Sequence, residues 1–433
     1  MSDAATARPS PETGLVASGP FEGRQPGDRP AFRRSVAPAL RRWGRPLAIW
    51  AASRLVALVV FATGATVAAS YGDGLGARPW PAVSSAGSLT VKALAAWDGA
   101  WYLDIAEHGY PALEDGSALA FFPGYPLTVR AVARLTGIGY PAAGLAVALG
   151  FGALAAVLLW ELSRHLGGSR FADRSLFLFA FFPGSFVLSM AYSEPMMLAA
   201  SLGCLLMLLR QRWLIAGLCG AVATATRPNA VVLVACCAWA AGAAIRGRSG
   251  PGRPTQPGPA HPGPAPRRQW AALAAPALAA SGLAGYYLYL WAHTGQPLAW
   301  FSVQGELWGE RLDVSRATWR AAGTFDRWWV GLPQDLNQFL PTAGVGFAVV
   351  TGVLMWRWRP PAVLWIYAGG VLFLALTAWN LGPRPRFLLT AFPLLQALAW
   401  RLRGTHFVAT VAASAVLLAC LTFVSVMTTQ AVP

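Results

Sequence analysis

A chain of 433 residues that is 55% hydrophobic and only 12% charged is not an ordinary soluble domain, where about a quarter of the residues carry charge. Its net charge of +16 would suit nucleic acid, but the arginines stand in short clusters between apolar runs close to the ~20 residues that cross a bilayer. Composition therefore excludes a soluble enzyme and a nucleic-acid partner. It predicts an all-α polytopic membrane protein in contact with membrane lipids. Lys92 is the only lysine, and the abundance of Arg, Ala, Gly and Pro fits a GC-rich bacterial genome.

Residues 1–45 are rich in Pro, Gly, Ala and Arg and lack the apolar core of a signal peptide, which predicts a disordered cytoplasmic tail. The first span is expected from about Pro46 to Ser70, with Arg54 inside it. A charge there is costly in lipid, so it should face protein, water or a lipid phosphate. An external loop of residues 71–137 follows, too long for a mere connector. It carries WDGAWYLDIAEHGY (Trp97 to Tyr110) and FFPGYP (Phe121 to Pro126). There Asp98, Asp104, Glu107, His108, Glu114 and Asp115 alternate with Trp97, Trp101, Tyr102, Tyr110 and Phe121. Aromatic faces beside carboxylates suit sugar rings and membrane interfaces; the plain alternative is a solvated acidic loop.

Five further spans are expected at about Ile138–Leu162, Ser175–Met190, Pro195–Leu209, Trp213–Thr226 and Ala230–Ile245, completing an N-terminal module over residues 46–245. A Pro/Gly/Arg-rich stretch, residues 246–268, reads as a flexible cytoplasmic linker. The second module, residues 269–433, holds spans at about Gln269–Trp291, Phe339–Trp356, Pro361–Trp379, Phe387–Trp400 and Phe407–Met427, with a polar external loop over 293–336. The total is about eleven. All five cysteines fall in apolar runs without metal-ligand spacing, so they read as small buried apolar residues.

With the N-terminus inside, the arginine clusters at 164–174, 210–212, 246–268, 357–359 and 401–403 share the cytoplasmic side. The first loop, YSEP (Tyr192 to Pro195), TRPN (Thr226 to Asn229), the 293–336 loop and GPRPR (Gly382 to Arg386) share the other. Arg130 and Arg134 are exceptions in a segment with the spacing of an interfacial amphipathic helix. Arg227, Arg384 and Arg386 also stand where the charge bias would not put them.

In order and spacing, WDGAWYLDIAEHGY, FFPGYP, FPGSFVLSMAYSEP and ATATRPNA resemble the PIG-V-type mannosyltransferases over roughly Trp97 to Ala230. The resemblance implies the C-type glycosyltransferase (GT-C) fold and an active site on the non-cytoplasmic face, here of a bacterial plasma membrane. It implies inverting transfer of mannose from a polyprenyl-phosphate-linked donor to a lipid-linked or cell-envelope glycan acceptor. No HExxH or DxD spacing appears in the chain, so neither metal nor cofactor is expected. Eukaryotic members act on the GPI anchor, so their acceptor does not carry over.

Inverting glycosyl transfer needs a base for the acceptor hydroxyl, usually a carboxylate, and positive charge for a departing phosphate. Asp98, in the Trp97–Asp98 motif, is the expected base, against the reading of a helix cap. Trp97, Glu107 and His108 match the family pattern as substrate contacts, or they buttress the loop. Asp104 reads as exposed. Glu194 either contacts substrate or serves the N-terminus of its helix. Arg227 pairs with the lipid phosphate or with Glu194; Arg386, Arg384 and Arg54 are further phosphate candidates. His293, Gln296, Trp300, Gln304 and Trp308 line the acceptor side or form an interfacial belt. The rival class is a lipid or sugar transporter or flippase, which calls for internal repeats and mid-span ionisable groups; a non-catalytic scaffold is a third.

Overall fold

The computed structural model describes residues 32–71, 88–111, 113–247, 266–310, 336–378 and 382–428. The chain divides into two units, residues 1–44 and Arg45–Pro433, and apart from the first residues of the first helix the second carries everything discussed below. Most of the predicted tail, the 246–268 linker and the 311–335 part of the second loop lie outside the described residues, as do the side chains of Glu114 and Asp115.

Every regular element among the described residues is helical. Among the described residues, six helices are long and apolar enough to cross a membrane. They are α1 (Phe32–Ser70, qualifying from Arg42), α5 (Tyr140–Ala180), α8 (Val232–Ile245, with the 3-10 turn before it), α9 (Pro266–Thr294), α11 (Leu336–Trp358) and α15 (Gly404–Met427). Two shorter apolar helices join them, α7 (Trp213–Thr226) and α12 (Ala362–Thr377). A seventh crossing exists if the 3-10 turn Pro183–Ser189 and α6 (Glu194–Leu209) count as one span bent by 104°. The remaining helices are short: α2 (Leu89–Leu94), α3 (Asp98–His108), α4 (Gly124–Thr136), α10 (Ala299–Glu306), α13 (Pro385–Thr390) and α14 (Pro393–Arg401).

The expected eleven spans are thus met unevenly, for local reasons. The third, Ser175–Met190, does not form as one helix. α5 kinks at Gly167 and Gly168, the latter at φ +78°, then ends at Ala180. Pro183 lacks the amide a continuing helix needs, and the chain turns tightly through Pro183–Ser189. The tenth is likewise cut into α13 and α14, where Pro393 opens the second piece.

Arg54 explains how a broken helix survives at this depth. Its guanidinium is buried and donates to the carbonyls of Ala180 and Ser185 and to the hydroxyls of Ser53, Ser185 and Ser189, and it lies 4.6 Å over the Trp50 ring. These include carbonyls released where α5 stops, which would otherwise be costly in an apolar surround. Arg54 is therefore a latch between α1 and the 183–189 turn, and the expectation that it serves a phosphate is corrected. Arg130 has a comparable role. It donates to Ala106 O at 2.6 Å and Ile105 O at 2.8 Å, so it caps the last carbonyls of α3.

The helices pack closely where side chains are small, as membrane helices do when lipid offers no hydrophobic advantage to burial. A Cβ added to Gly282 of α9 would sit 2.0 Å from Ala221 O of α7. Large apolar side chains instead cover the outer faces: Val349, Val350 and Trp356 of α11, and Val408, Val416 and Leu417 of α15, are all exposed. Cys204, Cys236 and Cys237 are buried as expected, but Cys219 is only partly so and Cys420 is exposed on α15. On a helix that faces lipid, an outward Cys is as apolar as an inward one.

Candidate active site

Four segments far apart in sequence converge beside the N-terminus of α3. Asp98 is the first residue of α3, after Trp97 at φ 60°, ψ −131°. Left-handed φ is uncommon for a non-glycine residue, and such strain, of order 1–3 kcal/mol, persists only where the surroundings impose it. Here the Trp97 indole donates to Ser425 O of α15 at 3.3 Å, and the Asp98 amide donates to Tyr192 Oη at 3.2 Å. Both ties aim the Asp98 carboxylate away from a capping position and toward Arg386, whose Nη1 lies 2.6 Å from Asp98 Oδ2.

Glu194, the first residue of α6, is 1% exposed. Its Oε1 is 2.8 Å from Arg227 Nη1 and 4.0 Å from Arg386 Nη1. The contact with Arg227 is an ion pair whose angle falls short of a hydrogen bond, since neither Glu194 oxygen is hydrogen-bonded. Arg227 does donate to Ser193 Oγ at 3.1 Å, and that hydroxyl meets Tyr102 Oη at 2.6 Å. Burial pushes the Tyr102 phenol up to about 12, so it stays protonated throughout the neutral range. The result is an alternating chain, Asp98–Arg386–Glu194–Arg227, in which two guanidinium groups face two carboxylates. The Nε–H groups of Arg227 and Arg386 and Glu194 Oε2 are buried without hydrogen-bond partners. Such unspent polar capacity is rare in a settled core.

The proline–glycine motifs supply the close approaches. A Cβ on Gly184 would come 2.4 Å from the Pro385 carbonyl and 2.7 Å from Arg386 N, so the FPG turn supports the backbone that presents Arg386. A Cβ on Gly124 would meet Thr226 Oγ1 at 2.7 Å and Ala225 O at 2.8 Å, which seats the FFPGYP segment on the end of α7 next to Arg227.

Of the residues singled out in the sequence, the structure brings together Trp97, Asp98, Glu194, Arg227 and Arg386. It does not bring Glu107 or His108. With 3.6 residues per turn, Glu107 falls on the far side of α3 from Asp98; it is exposed, and His108 Nδ1 pairs with Asp104 at 3.0 Å on the surface. The structure thus places Glu107 and His108 outside the Asp98 cluster. Three residues of the second loop reach back to the first. The Trp300 and Trp308 indoles donate to Ala120 O at 3.1 Å and Ser117 O at 3.0 Å, and His293 Nε2 to Pro111 O at 3.0 Å. They strap down the first loop. Ser193 and Tyr192 are the members sequence reasoning passed over, although both stand inside the YSEP motif. Among the described residues, no three His, Cys, Asp or Glu side chains stand together as a metal site would require.

A bundle of apolar helices that buries a mixed-charge cluster, with its acids and bases delivered by loop motifs, defines a multi-pass membrane protein with a polar site at one end. Residues 77–241 match the family model described as Mannosyltransferase (PIG-V), and over that segment the chain is similar to the PIG-V-type mannosyltransferases. The match includes Asp98, Glu194 and Arg227; Arg386 lies beyond it. A GPI alpha-1,6-mannosyltransferase 2 from Cricetulus griseus is 34% identical over 151 residues, which are 33% of this chain and 30% of that protein. Among solved structures, the Archaeoglobus fulgidus oligosaccharyltransferase with Zn and sulfate gives a TM-score of 0.40 at 14% identity, covering 86% of this chain and 53% of that one. The same organism's enzyme with an inhibitory peptide and a dolichol-phosphate gives 0.39 at 14% identity, covering 91% and 56%.

Proposed function

We propose that this protein is an integral-membrane glycosyltransferase of the GT-C type. In this reading it moves mannose from a polyprenyl-phosphate donor to a hydroxyl of a lipid-linked or cell-envelope glycan, with inversion. The observation that carries it is the pairing of Asp98 with Arg386 beside the Glu194–Arg227 pair, at 2.6 and 2.8 Å. One end of the bundle thus offers a base and two phosphate-sized cations.

Asp98 accepts the proton of the acceptor hydroxyl as its oxygen attacks the anomeric carbon from the face opposite the phosphate. The bond from that carbon to the phosphate oxygen breaks, and its electron pair leaves with the lipid phosphate. Arg386 and Arg227 hold the growing negative charge, which is where preorganised cations lower a barrier most. Arriving phosphate competes with Asp98 for Arg386, and this frees the carboxylate to act as a base only when donor is present. Glu194 keeps both guanidinium groups aimed.

The site lies on the extracytoplasmic face in this reading. Its support is the clustering of Arg45, Arg164 and Arg210 around Asp173 and Glu161, with Arg174 donating to Ala399 O. This basic end is the one from which α15 runs to Ser425 beside Trp97. In a bacterium, such basic turns face the cytoplasm.

The deciding assay supplies purified protein with radiolabelled polyprenyl-phosphate mannose, or with a soluble nucleotide-mannose, and separates the products. Transfer should require the lipid-linked donor; transfer from the nucleotide-sugar without a lipid carrier would sink the proposal. Arg227→Lys should retain part of the activity and Arg227→Ala little, because lysine keeps the charge but loses the fork that grips phosphate. Equal activities in the two variants would leave Arg227 with no part in donor binding. Gly184→Ala should push on the Pro385–Arg386 peptide, and a misplacement of ~1 Å at the chemistry costs up to about a hundredfold. Wild-type turnover in Gly184→Ala would show that the turn does not set the position of Arg386.

A further inference from the structure

We propose that a groove between α11, α14 and α15 is a binding site for one anionic glycerophospholipid, separate from the transfer site. The groove measures about 870 Å³. Its walls include Val350, Leu354 and Leu398, and its mouth carries Arg401, Arg403 and His406.

Three observations select this occupant. The first is charge. Arg45, Arg164 and Arg210, at the same end of the bundle, have carboxylate partners in Asp173 and Glu161. Among the described residues Arg401 and Arg403 have none within ion-pair distance, and no acidic residue lines the groove. The second is the apolar wall beneath the cations, on helices whose neighbouring side chains Val349, Trp356 and Val408 face outward. Inorganic phosphate would leave that wall uncovered and a neutral lipid would leave the arginines uncompensated, whereas an anionic head with an acyl chain answers both. The third is position. The groove opens where α15 begins, and Ser425, beside Trp97, is reached 21 residues later (404 to 425). At ~1.5 Å per residue that is roughly 30 Å, too far for one headgroup to serve both places.

The test uses the full chain, purified in neutral detergent, with phosphatidylglycerol or phosphatidylcholine titrated in and bound lipid counted by native mass spectrometry. One phosphatidylglycerol should be retained under conditions that strip phosphatidylcholine. Arg401→Gln with Arg403→Gln should weaken it about thirtyfold, from roughly fivefold for each arginine near a lipid surface. Ala409→Trp, which fills the groove without changing its charge, should weaken it comparably. Arg401→Lys with Arg403→Lys should keep most of the affinity and remains informative if a bulkier variant does not fold. Unchanged affinity in the glutamine or tryptophan variant would overturn the site. So would equal loss in the lysine variant, or complete displacement by excess inorganic phosphate.

Discussion

Replacing Asp98 with Asn should lower mannosyl transfer by about 10²–10⁴-fold, the usual contribution of a positioned base, while expression and membrane insertion remain near normal and donor binding is not weakened. Asparagine preserves the shape of the side chain and caps a helix about as well as aspartate, so a capping role predicts almost no change. The structure sharpens the contrast. The cap position belongs to Trp97, which makes no side-chain cap bond, and the Asp98 carboxylate faces Arg386 at 2.6 Å. Arg386 keeps Glu194 at 4.0 Å, so the variant does not strand a lone buried cation. Asp104→Asn on the same helix removes only a surface contact to His108 and should leave the rate unchanged. Measuring transfer by the two variants side by side settles the assignment: near-wild-type turnover by Asp98→Asn would end the base role.

Glu194→Ala should instead damage the fold. Glu194 is 1% exposed and stands between Arg227 at 2.8 Å and Arg386 at 4.0 Å. Removing it leaves two guanidinium groups buried side by side, and breaking a buried pair by deleting one partner typically costs about 3–5 kcal/mol. Thermal unfolding in detergent should show a fall of several degrees. Adding Arg227→Ala to Glu194→Ala should cost less than the sum of the single changes, because residues of one charge network are coupled. An additive double variant, or a melting temperature for Glu194→Ala within error of wild type, would show that the cluster does not act as a unit. Glu194 would then be a passenger in its motif.

The class of protein was legible in composition alone, because burial in lipid demands apolar runs and rejects scattered charge. The polar residues of the site were legible for the complementary reason. Arg227 and Arg386 break the charge bias of their helix ends, and Asp98 and Glu194 stand in short motifs of a chain otherwise poor in carboxylates. What composition could not decide was which of these residues meet. The Asp98–Arg386 contact spans 288 positions, and no local pattern encodes it; it depends on the 183–189 turn pressing Gly184 against the Pro385–Arg386 peptide. Nor could the sequence tell an arginine with a donor to spare from one that braces. Arg54 and Arg227 look alike as charges in apolar company, yet the released carbonyls of a broken helix consume the donors of Arg54, while Arg227 keeps a buried Nε–H unpaired. Glu107 and His108 lie away from the Asp98 cluster because a short helix turns them outward. Trp300 and Trp308 were recognised as interfacial aromatics, but only the docking of α10 on the first loop made them tethers. In a membrane, lipid is as apolar as the core, so hydrophobicity identifies the helices and leaves their mutual arrangement to small residues and buried polar pairs. Those contacts exist only in the folded chain.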